Sequence, residues 1–271
     1  MPLDSMSASE LTFIQSTLDR LGKTFSSLGI KNADQCTQWD LSPPSIAEKE
    51  LKISRKELSS RLEHTLLSPL ATQEEVLKHC QEAIENQFFA VCLHPYWIPL
   101  AQNELKNHPI SIVSVSSFPH GLERLSVKLN ELQDLKNLKV DEIDFVLNLG
   151  ALKSGHFKEL YQELSELVKA ADPVPLKVIF ETGVLSLEEK ISACTLSRLA
   201  KVSFFKTSTG TIAGHGATAK DVTLLRLLAG PQIQVKASGG IRTVEDVHQM
   251  IQAGAHRIGS SSGVSMIDAL S

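Results

Sequence analysis

Cysteine is scarce in this chain of 271 residues. There are four, Cys36, Cys80, Cys92 and Cys194, scattered and with no CxxC pair. A disulfide scaffold needs dense, regular cysteines and a thiolate metal site needs close spacing, so reduced thiols in a cytosolic protein are the expectation. No apolar run approaches the length that spans a bilayer. The first residues, MPLDSMSASELTF, lack a charged head followed by an apolar core, so no signal peptide is expected. Charge of one sign is not in excess either: 27 basic and 31 acidic residues give a net charge of −4. That argues against a grip on nucleic acid and against a polybasic membrane anchor. The nine histidines include no HxH or HExxH spacing, so no metal is expected in the chemistry.

What is present is ordinary for a soluble globular protein, with 42% hydrophobic and 21% charged residues. Ser7 and Glu10 form a capping-box pattern, and Leu11, Ile14, Leu18, Leu21, Phe25 and Leu28 recur every three or four residues. This predicts one amphipathic helix. An irregular stretch with Trp39, Pro43 and Pro44 follows, and a second helix start stands at Ser54 with Glu57. Residues 1–53 therefore read as a helical extension, and the main domain as 54–271.

Within the main domain one unit repeats: a short β-rich run, a loop, then a helical pattern. The strands are expected at Leu62–Leu67, Phe88–Leu93, Ile110–Val115, Glu142–Leu147, Leu176–Phe180, Val202–Lys206, Gln234–Ala237 and His256–Gly259. Helical stretches such as Thr72–Asn86, Leu122–Leu138, His156–Ala171, Leu187–Ala200, Thr218–Leu228 and Val244–Ala253 lie between them. Parallel strands need crossover connections, and eight such units fit a (β/α)8 TIM barrel, an α/β fold. A doubly wound open sheet is the structural alternative.

A barrel does its chemistry at the C-terminal ends of its strands. On strand four Asp144 shares parity with Glu142 and Val146. Strands six and seven close on Lys206 and Lys236. Adjacent strands lie about 4.8 Å apart. Two ammonium groups that close repel, which lowers the pKa of one of them. A lysine partly neutral at pH 7 is a nucleophile toward carbonyls and forms a Schiff base. Asp144 could compensate the remaining charge and move protons. The plain alternative is a pair of solvated loop lysines. Gly239, Gly240 and Arg242 follow strand seven, and Gly259, Ser261 and Ser262 lead from strand eight into a last short helix. Small residues there let backbone N–H groups approach an anion, the recurring phosphate position of such barrels.

The same residues resemble a known family. Phe205-Lys206-Thr207-Ser208-Thr209-Gly210, Gly216-Ala217-Thr218 and Val235-Lys236-Ala237-Ser238-Gly239-Gly240-Ile241-Arg242 are similar to deoxyribose-phosphate aldolase. So are Glu142-Ile143-Asp144, the run Asn148 to Gly155, Lys177 to Gly183, and His64-Thr65-Leu66-Leu67. The resemblance implies reversible retro-aldol cleavage of 2-deoxy-D-ribose 5-phosphate to acetaldehyde and D-glyceraldehyde 3-phosphate. It implies a Schiff base on Lys206, a pKa-lowering role for Lys236 and proton transfer through water at Asp144. It implies a phosphate site at Gly210, Gly239, Gly240, Arg242, Gly259, Ser261 and Ser262, and no cofactor. Glu63, Thr65, Cys92, Lys177 and Thr207 are expected to line the site. The partners implied are a phosphosugar and aldehydes, with no nucleic acid, no membrane and a homo-oligomer, a dimer, in the cytoplasm.

The chain departs from the pattern in four places. Glu63 stands where aspartate is usual, His94 where asparagine is usual, and Thr211 where phenylalanine or lysine is usual. No tyrosine lies near the C-terminus, the last being Tyr161. A lysine aldolase of different substrate range and a non-catalytic phosphosugar-binding barrel are the alternative functions. Lys177 and Glu181 share parity on strand five, as an ion pair near Lys206 or as a barrel-layer pair. Cys92 reads as a packed, inert thiol.

Overall fold

The computed structural model describes residues 6–42 and 53–270. The stretch holding Pro43 and Pro44 lies outside the described residues. Eight strands, β1 (Leu62–Leu66), β2 (Ala90–Leu93), β3 (Ser111–Ser116), β4 (Glu142–Val146), β5 (Leu176–Ile179), β6 (Phe204–Lys206), β7 (Gln234–Ser238) and β8 (Arg257–Ser260), close into one parallel barrel in sequence order. The register sets Asp144 beside Lys177 and Lys206 beside Lys236. The open-sheet alternative is thereby excluded.

Helices α1 (Ala8–Ser27), α2 (Arg55–Ser59), α3 (Gln73–Asn86), α4 (Ile98–Leu105), α5 (Leu125–Asn137), α6 (Leu149–Lys153), α7 (Phe157–Ala171), α8 (Leu187–Leu199), α9 (Ala219–Ala229), α10 (Val244–Gln252) and α11 (Gly263–Asp268) complete the chain. Their starts are dictated by side chains that satisfy otherwise orphaned N–H groups. Ser7 with Glu10, Thr72 with Glu75, Ser186 with Glu189 and Thr243 with Asp246 form complete capping boxes. At α9 only half of the box forms: Thr218 accepts from the Asp221 N–H, while the Asp221 carboxylate instead takes Lys190 at 2.5 Å.

The main apolar core fills the space between the sheet and its helices. The barrel interior divides in two. Ala90, Cys92, Val113 and Val115 of β2 and β3 form a small apolar cluster of their own. Opposite them the interior is charged: Glu63, Asp144, Lys177, Lys206 and Lys236 are all buried.

Helix α1 buries Ile14, Leu18, Leu21 and Phe25, the stripe that its sequence spacing marks. It lies across the first turns of three outer helices. Phe25 meets Phe157 of α7 edge-on at 5.2 Å. Arg20 pairs with Glu188 of α8 at 2.6 Å, and Glu10 with Lys220 of α9 at 2.8 Å. Farther on, the Trp39 ring stacks under the Arg198 guanidinium at 3.8 Å. No helix among the described residues is long and apolar enough to cross a membrane.

Candidate active site

Asp144 is the hub of the charged half of the barrel. Its Oδ1 accepts from Lys177 at 2.9 Å, and its Oδ2 accepts from Lys206 at 2.8 Å and from Lys236 at 2.7 Å. Glu63 reaches across from β1 to Lys177 at 3.2 Å and to Lys236. Glu142 takes Lys177 at 2.6 Å. Three lysines and three carboxylates thus share one buried volume, where an unpaired charge would be expensive.

The lysines differ in how well their charge is supported. Lys177 has three carboxylate partners, Lys236 has two and Lys206 has one. Burial works against the ammonium form of all three. For Lys177 and Lys236 the facing carboxylates outweigh it, and the pKa of each is raised. For Lys206 burial dominates; Asp144 opposes it, Lys236 reinforces it, and the pKa is lowered. Burial also opposes the charge on Asp144, yet the three lysines hold its carboxyl well below the usual range. Lys206 is therefore the amine of this site that gives up its proton most readily.

The other expected lining residues fall in distinct places. Cys92 is buried in the apolar cluster, and burial pushes its thiol up to about 11, which leaves it a thiol at neutral pH. The Thr65 hydroxyl donates to the Glu63 carbonyl at 2.9 Å. Thr207 donates to the Ser238 carbonyl and accepts its N–H, both at 3.0 Å, so its hydroxyl stitches β6 to β7.

The glycine turns sit at the same end of the barrel. Gly210, Gly239 and Gly240 have φ of 84°, 88° and 77°, where a side chain would be strained. Gly216 abuts Gly239: a Cβ there would collide with the Gly239 carbonyl. Ser261 and Gly240 are exposed, as is Arg242, whose N–H caps onto Asp246 at 2.9 Å. Ser262 is half-buried and donates its N–H to Ser260 Oγ at 3.0 Å. Gly259 lies inside β8, where an added Cβ would stand 3.0 Å from Lys236 Cε; its smallness makes room for the lysine.

Two acids take partners that the sequence did not assign them. Glu142 was placed on the Asp144 side by strand parity, but nothing in the sequence shows that Lys177 reaches it. Glu181 forms no pair with Lys177. Its Oε2 accepts instead from the Thr209 N–H at 3.1 Å and the Thr209 hydroxyl at 2.5 Å. Strand parity failed here because Glu181 lies past the end of β5 in a left-handed conformation, φ 52°.

Among the described residues, one set of possible metal ligands comes together, His64, His79 and Glu82. It lies between β1 and α3, and His64 alternates in parity with the inward-facing Glu63. The two imidazoles stack at 3.8 Å and 11°. Burial lowers the two pKa values to about 4 and about 3.

Residues 60–267 match the family model described as DeoC/LacD family aldolase. The chain belongs to the DeoC/LacD aldolase family. Among its relatives is the deoxyribose-phosphate aldolase of Thermotoga petrophila, 43% identical over 212 residues, which are 78% of this chain and 85% of that protein. That of Thermococcus kodakarensis is 43% identical over 220 residues, 80% of this chain and 98% of that protein. The tetrameric deoxyribose phosphate aldolase of Aeropyrum pernix superposes with a TM-score of 0.74 at 34% identity, covering 80% of this chain and 92% of that one. A Coccidioides immitis protein provisionally named deoxyribose-phosphate aldolase superposes with a TM-score of 0.81 at 29% identity. It covers 94% of this chain and 97% of its own, so the family likeness there runs well beyond the barrel match.

Proposed function

We propose that this chain cleaves 2-deoxy-D-ribose 5-phosphate reversibly to acetaldehyde and D-glyceraldehyde 3-phosphate through a Schiff base on Lys206. The observation that carries the assignment of the lysine is its single carboxylate partner beside a second buried ammonium group. Neutral Lys206 Nζ attacks the aldehyde carbon of the open-chain sugar; the carbinolamine takes up a proton from the water beside Asp144, and loss of water leaves an iminium. The iminium draws the electron pair of the C2–C3 bond as the C3 hydroxyl loses its proton; glyceraldehyde 3-phosphate leaves and an enamine remains. Protonation at C2 and hydrolysis release acetaldehyde and restore the amine.

Asp144 is held so far toward its ionised form that it acts by charge and position, with a water carrying protons to and from carbon. Lys236 keeps its charge and by repulsion keeps Lys206 neutral. Glu63 and Lys177 fix the hub, and Thr65 and Cys92 belong to the wall around it. The phosphate meets backbone N–H groups at Gly210, Gly239 and Gly240, with Arg242 and Ser261 at the rim. Residues 54–271 form the catalytic unit, and residues 6–42 of the extension brace its side. Four free, buried cysteines fit a reducing cytoplasm. A homo-oligomer built on a dimer is part of this reading, which light scattering tests.

The deciding experiment is borohydride reduction in the presence of deoxyribose 5-phosphate, followed by peptide mapping. A reduced adduct on Lys206 is expected. An adduct on Lys236 or Lys177, or activity abolished by EDTA, overturns the assignment.

A further inference from the structure

Most buried acids of the site are bonded to lysines; Glu181 is bonded to none. It is 2% exposed, its Oε1 has no hydrogen-bond partner, and its backbone takes the left-handed conformation that side chains disfavour. Desolvation and strain both fall on a residue whose hydrogen bonds go only to the loop after β6.

We propose that Glu181 is a positioning residue for the phosphate end of the site. Through Thr209 it locks the turn at Gly210, and so sets affinity for the substrate's phosphate without touching the reacting carbons. This rests on the reading above that the glycine turns receive the phosphate.

The hydrogen bonds have a fixed direction. The Thr209 hydroxyl gives its one proton to Glu181 Oε2. Its oxygen must then accept, and it accepts from the Thr211 N–H at 3.1 Å and from the Thr211 hydroxyl at 2.8 Å. The chain therefore runs from Thr211 to Thr209 to Glu181, and Thr209-Gly210-Thr211 closes as a tight turn around Gly210 at φ 84°. The Thr211 hydroxyl proton is committed inward, so this threonine shapes the phosphate end rather than donating to the phosphate. The loop after β5 grips a second point: the His215 Nδ1–H donates to the Gly183 carbonyl at 2.9 Å. Next to the two grips, Gly210 and Gly216 pack against Gly239. Glu181 thus anchors one loop to which the phosphate-end glycine of the next strand is fitted.

The test compares Glu181→Ala, Glu181→Gln and Thr209→Val with the parent. Measured are KM and kcat for deoxyribose 5-phosphate and for unphosphorylated deoxyribose, inhibition by inorganic phosphate, and borohydride trapping of acetaldehyde on Lys206. Glu181→Ala and Thr209→Val should raise KM for the phosphorylated sugar at least tenfold. They should weaken phosphate inhibition by a similar factor, with kcat within about threefold and acetaldehyde trapping unchanged. Glu181→Gln keeps an acceptor oxygen and should restore most of the affinity, which a purely electrostatic role would not predict; Thr209→Val, which keeps the volume, tells the hydrogen bond from packing. Where Glu181→Ala does not fold, Thr209→Val decides, since it keeps the volume and removes only the hydroxyl. Equal losses on both sugars, or unchanged phosphate affinity in Thr209→Val, overturn the role of Glu181. A parent that neither prefers the phosphorylated sugar nor is inhibited by phosphate overturns the phosphate reading, and this inference with it.

Discussion

Replacing Lys236 with methionine removes one of two ammonium groups that share a single oxygen. Lys206 and Lys236 bond Asp144 Oδ2 at 2.8 and 2.7 Å, so their nitrogens are at most about 5.5 Å apart, the total of the two lengths. At an effective dielectric constant of about 20, two like charges at that distance repel by about 3 kcal/mol. Losing that repulsion favours charged Lys206 by about a hundredfold, since each 1.4 kcal/mol is worth about tenfold. Activity at pH 7 should fall by about that factor and recover about tenfold per pH unit as the solution is made more alkaline. The same change leaves Asp144 and Glu63 facing one cation fewer, and breaking a buried pair costs about 3–5 kcal/mol of stability. Pairing it with Glu63→Gln returns the buried charges to balance. The double variant should regain thermal stability and part of the activity at pH 7, since the lost anion offsets the lost cation at Lys206. The reasoning fails if Lys236→Met has the parent's pH–rate profile.

Three further outcomes are expected. Gly259→Ala places a methyl group 3.0 Å from Lys236 Cε and should lower kcat about tenfold by displacing that lysine, with little change in circular dichroism. His64 and His79 are held at about 4 and about 3 by burial, whereas an unfolded histidine titrates near 6.5. The folded form therefore binds fewer protons below pH 6.5, and the stability the two contribute, complete above that pH, declines by about 1.4 kcal/mol per unit per histidine as pH falls toward 4. Urea titrations of His79→Leu should show about half of that slope. Leu18→Ala, in the fully buried face of α1, should cost about 2–5 kcal/mol and lower Tm by about 5–15 °C while kcat stays at the parent value.

The barrel was legible because its signals are local. Each strand is a short β-rich run, and the capping residues Ser7, Thr72, Ser186 and Thr243 start their helices where the pattern places them. Ends were less legible. The fourth helix, Ile98–Leu105, escaped notice because prolines and aromatics at its start hide the periodicity. Strand β6 begins two residues late, after Lys201 turns the chain at φ 65°. In the site, parity and strand order brought out Asp144, Lys206 and Lys236. What they cannot give is reach across the barrel. That Glu63 bridges to Lys177 and Lys236 depends on the closure of β1 against β8, a contact between residues nearly two hundred apart.

The placement of α1 has a mechanical consequence. The helix crosses the first turns of α7, α8 and α9, and those helices follow β4, β5 and β6 in the chain. These are the strands that carry Asp144, Lys177 and Lys206. A βα unit of this sector can swing outward only after the crossbar has lifted from all three, so the extension joins three neighbouring staves of the barrel into one stiff panel. The rest of the wall, from β7 round to β3, has no such tie among the described residues. Slow opening of the molecule should therefore begin there, leaving the panel that holds the lysine chemistry among the last parts to exchange its amide hydrogens.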